Sequence, residues 1–132
     1  MTSLVRYYFY GAASAIAIAG ILHLMIVPNT IGLNPALGIF FLIVGAAQLF
    51  LTIIVLRRWG RNWHYIGIAG TIVLIIIFFV TRVPNPITEG RALPIDAIGI
   101  AIELFEFAYV TMSILMIVNQ GRITRTQKEE LR

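Results

Sequence analysis

The sequence predicts an all-α fold: a four-transmembrane-helix bundle with both termini in the cytoplasm, forming one membrane domain over residues 1–132. Three observations predict it. Apolar residues make up 59% of the chain and charged residues only 12%, against about 25% charged in soluble domains. The apolar residues are gathered into four runs, over about 7–27, 36–56, 64–82 and 96–118, each close to the ~20 residues that cross a hydrocarbon layer. The basic residues lie between the runs, eight on one side (Arg6, Arg57, Arg58, Arg61, Arg122, Arg125, Lys128 and Arg132) and two on the other (Arg82 and Arg91). The side richer in basic residues is the cytoplasmic one.

The first run carries one upstream arginine, so a cleaved signal peptide is the competing reading. Its length argues against that, because a signal core has only about 7–15 apolar residues. Tyr7, Tyr8 and Tyr10 beside Arg6 suit an interfacial belt. Gly11, Ala15 and Ala19, with Ser14 and Gly20, form a small-residue stripe that lets another helix approach closely. Pro28 is expected to end this helix, and the segment to Pro35 reads as a short uncharged turn.

Pro35 suits the first turn of the second helix, which has Gly45, Ala46, Ala47 and Gln48 at its middle. Arg57, Arg58 and Arg61 then alternate with Trp59 and Trp63, as at a cytoplasmic interface. Gly67, Gly70 and Thr71 make the first half of the third helix narrow, and its bulky second half, Ile72 to Val80, is expected to face lipid. The following loop is the longest, stiffened by Pro84, Pro86 and Pro94. Asp96 is a natural N-cap for the fourth helix. The polar tail, 119–132, can carry that helix on into water past Gly121.

Composition also excludes chemistries. The chain has no cysteine, so disulfides, thiolate ligands and a cysteine nucleophile are ruled out. Its net charge of +4 belongs to membrane topology rather than nucleic-acid binding. There is no phosphate loop, nucleophile elbow or paired-histidine haem motif, so nothing marks an enzyme.

The chemistry that remains lies in the fourth run. Asp96, Glu103 and Glu106 fall on one helical face. At 1.5 Å per residue, Glu103 lies about 10 Å and Glu106 about 15 Å beyond Asp96. A charge at such depth costs about 2.5–3.5 kcal/mol even on lenient scales. His23 is expected about 6 Å and Gln48 about 20 Å from the same end of the bundle. The expected polar network is therefore His23, Gln48, Arg82, Asp96, Glu103 and Glu106, with His23, Arg82, Asp96 and Glu103 closing the core.

Three readings stay open. The network can be structural, with Arg82 paired to Asp96 or Glu103 to fix helix register. It can handle protons or cations through the two glutamates and His23. Or His23, Glu103 and Glu106, with Met25 as a weak extra ligand, can hold zinc or non-haem iron. No cofactor is otherwise implied. The first reading makes the protein an accessory or scaffold in a larger membrane complex or a homo-oligomer, with the stripe and the tail as contact surfaces.

The motifs His23-Leu-Met-Ile-Val-Pro28, Gly38 to Gln48, Thr81-Arg82, Asp96 and Glu103 resemble a group of small four-helix membrane proteins of unknown function. These occur in ammonia-oxidising archaea and in actinobacteria. The resemblance implies a prokaryotic cell-membrane protein and assigns no activity to any residue. It brings an accessory subunit of a copper membrane oxidase into range as a role, although no residue points to one.

Overall fold

A computed structural model describes residues 2–131 and contains, among them, four long α-helices and no strand. The helices are α1 (Ser3–Ile31), α2 (Pro35–Leu56), α3 (Arg61–Thr81) and α4 (Ala97–Glu130). All four are long and apolar enough to cross a membrane. Arg132, counted above with the basic tail, lies outside the described residues.

Side-chain caps form at the starts of α2 and α4, that of α4 as expected and that of α2 in addition. Asn34 accepts from the Leu37 amide at 3.1 Å and Pro35 occupies the first turn of α2. Asp96 accepts from the Gly99 amide at 2.7 Å and starts α4. The loop between α3 and α4 contains one 3₁₀ turn, Pro86–Thr88. It is stitched back onto α3 by Asn85, which donates to the Val80 carbonyl at 2.9 Å, and by the Leu93 amide, which donates to Thr81 at 2.8 Å.

Two boundaries differ from the sequence reading, and a third, at the end of α4, takes the longer course that reading allowed. Pro28 does not end α1; the helix passes through it to Ile31. The missing proline N–H strands only the Leu24 carbonyl, a loss that an otherwise intact last turn tolerates. Within that turn the Thr30 hydroxyl donates to the Ile26 carbonyl at 2.8 Å. The third helix begins earlier than expected, at Arg61. The fourth runs unbroken past Gly121 to Glu130, 34 residues or about 51 Å, so its last turns project beyond the bundle.

The α2–α3 turn closes in an unusual way. The Trp59 amide donates to Ile54 and the Arg58 amide to Val55, the two bonds of a Schellman C-cap. The left-handed position is occupied by Arg58, at φ 53°, where glycine is usual. A side chain there costs roughly 1–2 kcal/mol.

Successive helices run antiparallel, so the C-terminal ends of α1 and α3 meet the N-terminal ends of α2 and α4. We call that the loop end, and the opposite one the terminal end. Around the bundle the order is α2, α1, α4, α3, with α1 packed on both α2 and α4 and α3 touching α2 least. Except for Ser14, which is exposed, the small-residue stripe of α1 packs within the chain: Ala15 and Ala19 lie in the core, and Gly20 faces Gly45 of α2. It is therefore not available as the partner surface expected above. The apolar core fills the terminal half, from Val5, Phe9 and Ile16 of α1 to Val55, Tyr109 and Met116. The outward residues of α3, among them Val73, Ile76 and Phe79, are exposed as expected.

A Cβ on Gly45 would lie 2.9 Å from the Gly20 carbonyl oxygen and 2.8 Å from Leu24. Gly45→Ala should therefore destabilise the protein by about 1–3 kcal/mol. Gly70, with open space around its Cβ position, should tolerate alanine or gain about 0.5–1 kcal/mol. Unfolding of the two variants in mixed micelles measures the difference.

Candidate functional site

The inward face of α4 carries Ile102, Glu103, Glu106, Tyr109, Ser113 and Met116. Their spacing of three to four makes one continuous seam. Both glutamates therefore point into the bundle, as their shared face requires. Glu106 is 0% exposed, Gln48 3%, His23 6% and Glu103 7%.

Gln48 is the joint between three helices. Its Nε2 donates to Glu106 Oε1 at 2.6 Å, and its Oε1 lies 2.9 Å from His23 Nδ1. The same ring nitrogen lies 3.1 Å from the Ala19 carbonyl oxygen. A nitrogen between two acceptors must carry the proton, so His23 donates through Nδ1. That also settles the amide: turned over, Gln48 would aim an N–H at another N–H. The chain His23→Gln48→Glu106 crosses the bundle in one layer, directly above the apolar core.

Above this layer the helices part. A cavity of about 330 Å³ opens toward the loop end, with His23, Glu103 and Glu106 on its inner wall. Phe40 and Phe41 of α2 and Leu74, Ile77 and Phe78 of α3 form its apolar sides, and Arg82, Asp96 and Pro94 its mouth. Among the described residues, Glu103 Oε2 and Glu106 Oε2 are buried without a hydrogen-bond partner. Each is an acceptor left without a donor, in apolar surroundings where that costs about 1–3 kcal/mol.

The expected closure of the core by His23, Arg82, Asp96 and Glu103 takes a different form. Arg82 stacks on Phe78, 4.0 Å from the ring centroid, and donates to Thr81 Oγ1 at 3.2 Å. Asp96 gives an oxygen to its own helix start. Among the described residues no hydrogen bond joins Arg82 to Asp96 or Glu103. The cause is local: stacking on Phe78 holds Arg82 at the mouth, and capping of α4 holds Asp96 there.

His23, Glu103 and Glu106 are not gathered as a metal-ligand set either. Among the described residues no three His, Cys, Asp or Glu side chains come close enough to share an ion. The Gln48 amide stands between His23 and Glu106. Met25, the weak extra ligand, is 60% exposed and turned away.

Two features of the site had no sequence signal. The phenylalanines of the cavity wall look like any lipid-facing apolar residues. The depth of His23 was masked by Pro28: measured from Ile31, it lies eight positions in, or about 12 Å, which is level with Glu106 and not shallow of it.

No protein-family profile matches the chain, and no curated protein or solved structure is similar to it. These comparisons link it to no group, so the archaeal and actinobacterial resemblance rests on its motifs alone.

Gln48→Leu removes the partner of both His23 Nδ1–H and Glu106 Oε1. It should destabilise the protein by about 1–3 kcal/mol in an unfolding titration. A Gln48→Leu/Glu106→Leu double variant should lose less than the sum of the two single variants, because the pair is one interaction.

Proposed function

We propose that the protein is an integral cell-membrane protein of four spans, with cytoplasmic termini, that binds a small organic ammonium ion between its helices. The observation carrying this reading is the pair of buried oxygens without donors, Glu103 Oε2 and Glu106 Oε2, on the inner wall of a cavity with apolar sides. Arg82, whose Nε is also buried without a partner, stands at the mouth and donates to neither oxygen; a primary ammonium at their depth would supply three N–H donors. The aromatic wall suits the same ligand, since phenylalanine faces attract cations and bury an apolar body. The volume of about 330 Å³ falls at the lower end of small-molecule sites, about 300–1,000 Å³. Glu106 would be the principal anchor, held in place through Gln48 and His23, and Glu103 the second acceptor. A proton relay uses the same groups, with a proton filling the vacancy in place of the ammonium.

The orientation follows from the basic residues at the terminal end, where Arg57, Arg58 and Arg61 flank Trp59 and Trp63. The cavity then opens to the outer face. A second reading, an accessory or scaffold subunit of a larger membrane complex, is favoured by one observation. The projecting segment of α4 exposes Arg122, Arg125, Lys128, Glu129 and Glu130 on a continuous helix. The likeness to small archaeal and actinobacterial membrane proteins belongs with either reading.

Calorimetry on the detergent-solubilised chain with benzylammonium should show saturable binding. Benzyltrimethylammonium, which has no N–H, should bind about tenfold more weakly, and Glu106→Gln should lose the preference for benzylammonium. Binding that ignores both changes, or no binding of either ion, rejects the site. For topology, the absence of native cysteine permits single-cysteine labelling. Ile87→Cys should react with an impermeant maleimide from outside intact cells, and Thr126→Cys only after the membrane is opened.

A further inference from the structure

A second cavity, of about 170 Å³, lies at the terminal end, far from the acids of the first. Phe9 of α1 and Met116 of α4 form its apolar floor, while Arg58, Arg61, His64 and Gln120 supply its polar groups. Its chemistry is the reverse of the first cavity. Among the described residues no carboxylate lines it, and it is rich in donors. Arg58 lies over the Phe9 ring at 5.0 Å from the centroid. Arg58 and Arg61 are both exposed, so their guanidinium groups are open to a ligand from solvent or the membrane surface. His64 Nδ1 is buried and without a partner.

The backbone adds to this. Gly60 caps α3 with no side chain to accept from its first amides, which leaves those N–H groups facing outward at the same spot. Arg58 is held toward the cavity by a left-handed backbone, φ 53°, that glycine would adopt more easily. The side chain is kept there against that preference. Trp59 and Trp63, 48% and 38% exposed, flank the same turn as interfacial residues do.

We propose that this cavity binds a phosphate group, clasped by the guanidinium groups of Arg58 and Arg61, with His64 against its inner side. Planar guanidinium forks match phosphate oxygens two at a time, and an amide-bearing helix start favours the same anion. The ligand is either the headgroup of an anionic phospholipid or a soluble phosphate compound. The site shares no residue with the ammonium cavity and stands or falls without it.

The test uses the full chain in nanodiscs and reads Tm. In one arm phosphatidylglycerol replaces part of the phosphatidylcholine. In the other, inorganic phosphate is added to phosphatidylcholine nanodiscs. A rise in Tm in the first arm alone assigns the headgroup, and a rise in the second assigns soluble phosphate; either supports the site. Arg58→Gly is the informative variant, because glycine suits that backbone. Without ligand it should keep a Tm close to the wild type, yet its apparent affinity should fall about tenfold or more. Arg122→Gln/Arg125→Gln removes two charges outside the cavity and should leave the response intact. No rise in either arm, a rise unchanged in Arg58→Gly, or one lost equally in the Arg122/Arg125 control overturns the proposal.

Discussion

A carboxylate buried to 0% exposure among apolar helices is the constraint on which the rest of this structure depends. Glu106 cannot be left without donors there at low cost. Gln48 satisfies one of its oxygens and is in turn positioned by His23, whose Nδ1 also reaches the Ala19 carbonyl. Three helices are thereby registered against one another at one level. Had the acid been one residue earlier or later on α4, it would have left the buried seam, and the layer would not form.

That layer divides the bundle in two. Toward the termini the packing is close and apolar, and small residues make it possible: Gly20 against Gly45, Gly11 against Met112, and Gly67 over the Tyr109 hydroxyl. A larger residue at any of these positions would hold the helices apart. Toward the loops the same helices diverge, and α2 and α3 barely touch. The cavity is the consequence. Its inner wall is polar because the layer forms it, and its sides are apolar because the outer faces of α2 and α3 continue into it.

The two ends of the molecule are chemically opposite. Two unpartnered carboxyl oxygens mark the inner wall of the loop-end cavity, with Arg82 at its mouth, and two arginines and His64 mark the terminal-end one. The basic residues that set the proposed orientation also furnish the second cavity. One charge pattern thus underlies both the proposed topology and the proposed phosphate site.

The sequence by itself determined the four helices, the Asp96 cap, the place of Pro35 in the first turn of α2, and the inward turn of Glu103 and Glu106. Each of these is local: run length, capping chemistry and the 3.6-residue repeat are written within a dozen neighbouring positions. It was also enough to single out His23 and Gln48 as polar groups needing partners. It could not decide which partners, and it paired His23 with Arg82, Asp96 and Glu103 instead of with Gln48. Partnership depends on relative depth and rotation. Depth was set by α1 continuing through Pro28, and rotation by the Gly20–Gly45 contact between helices. Only the tertiary structure holds that information, because a hydrogen bond such as His23–Gln48 forms at 2.9 Å, while a terminus misplaced by one helical turn shifts a residue by about 5.4 Å.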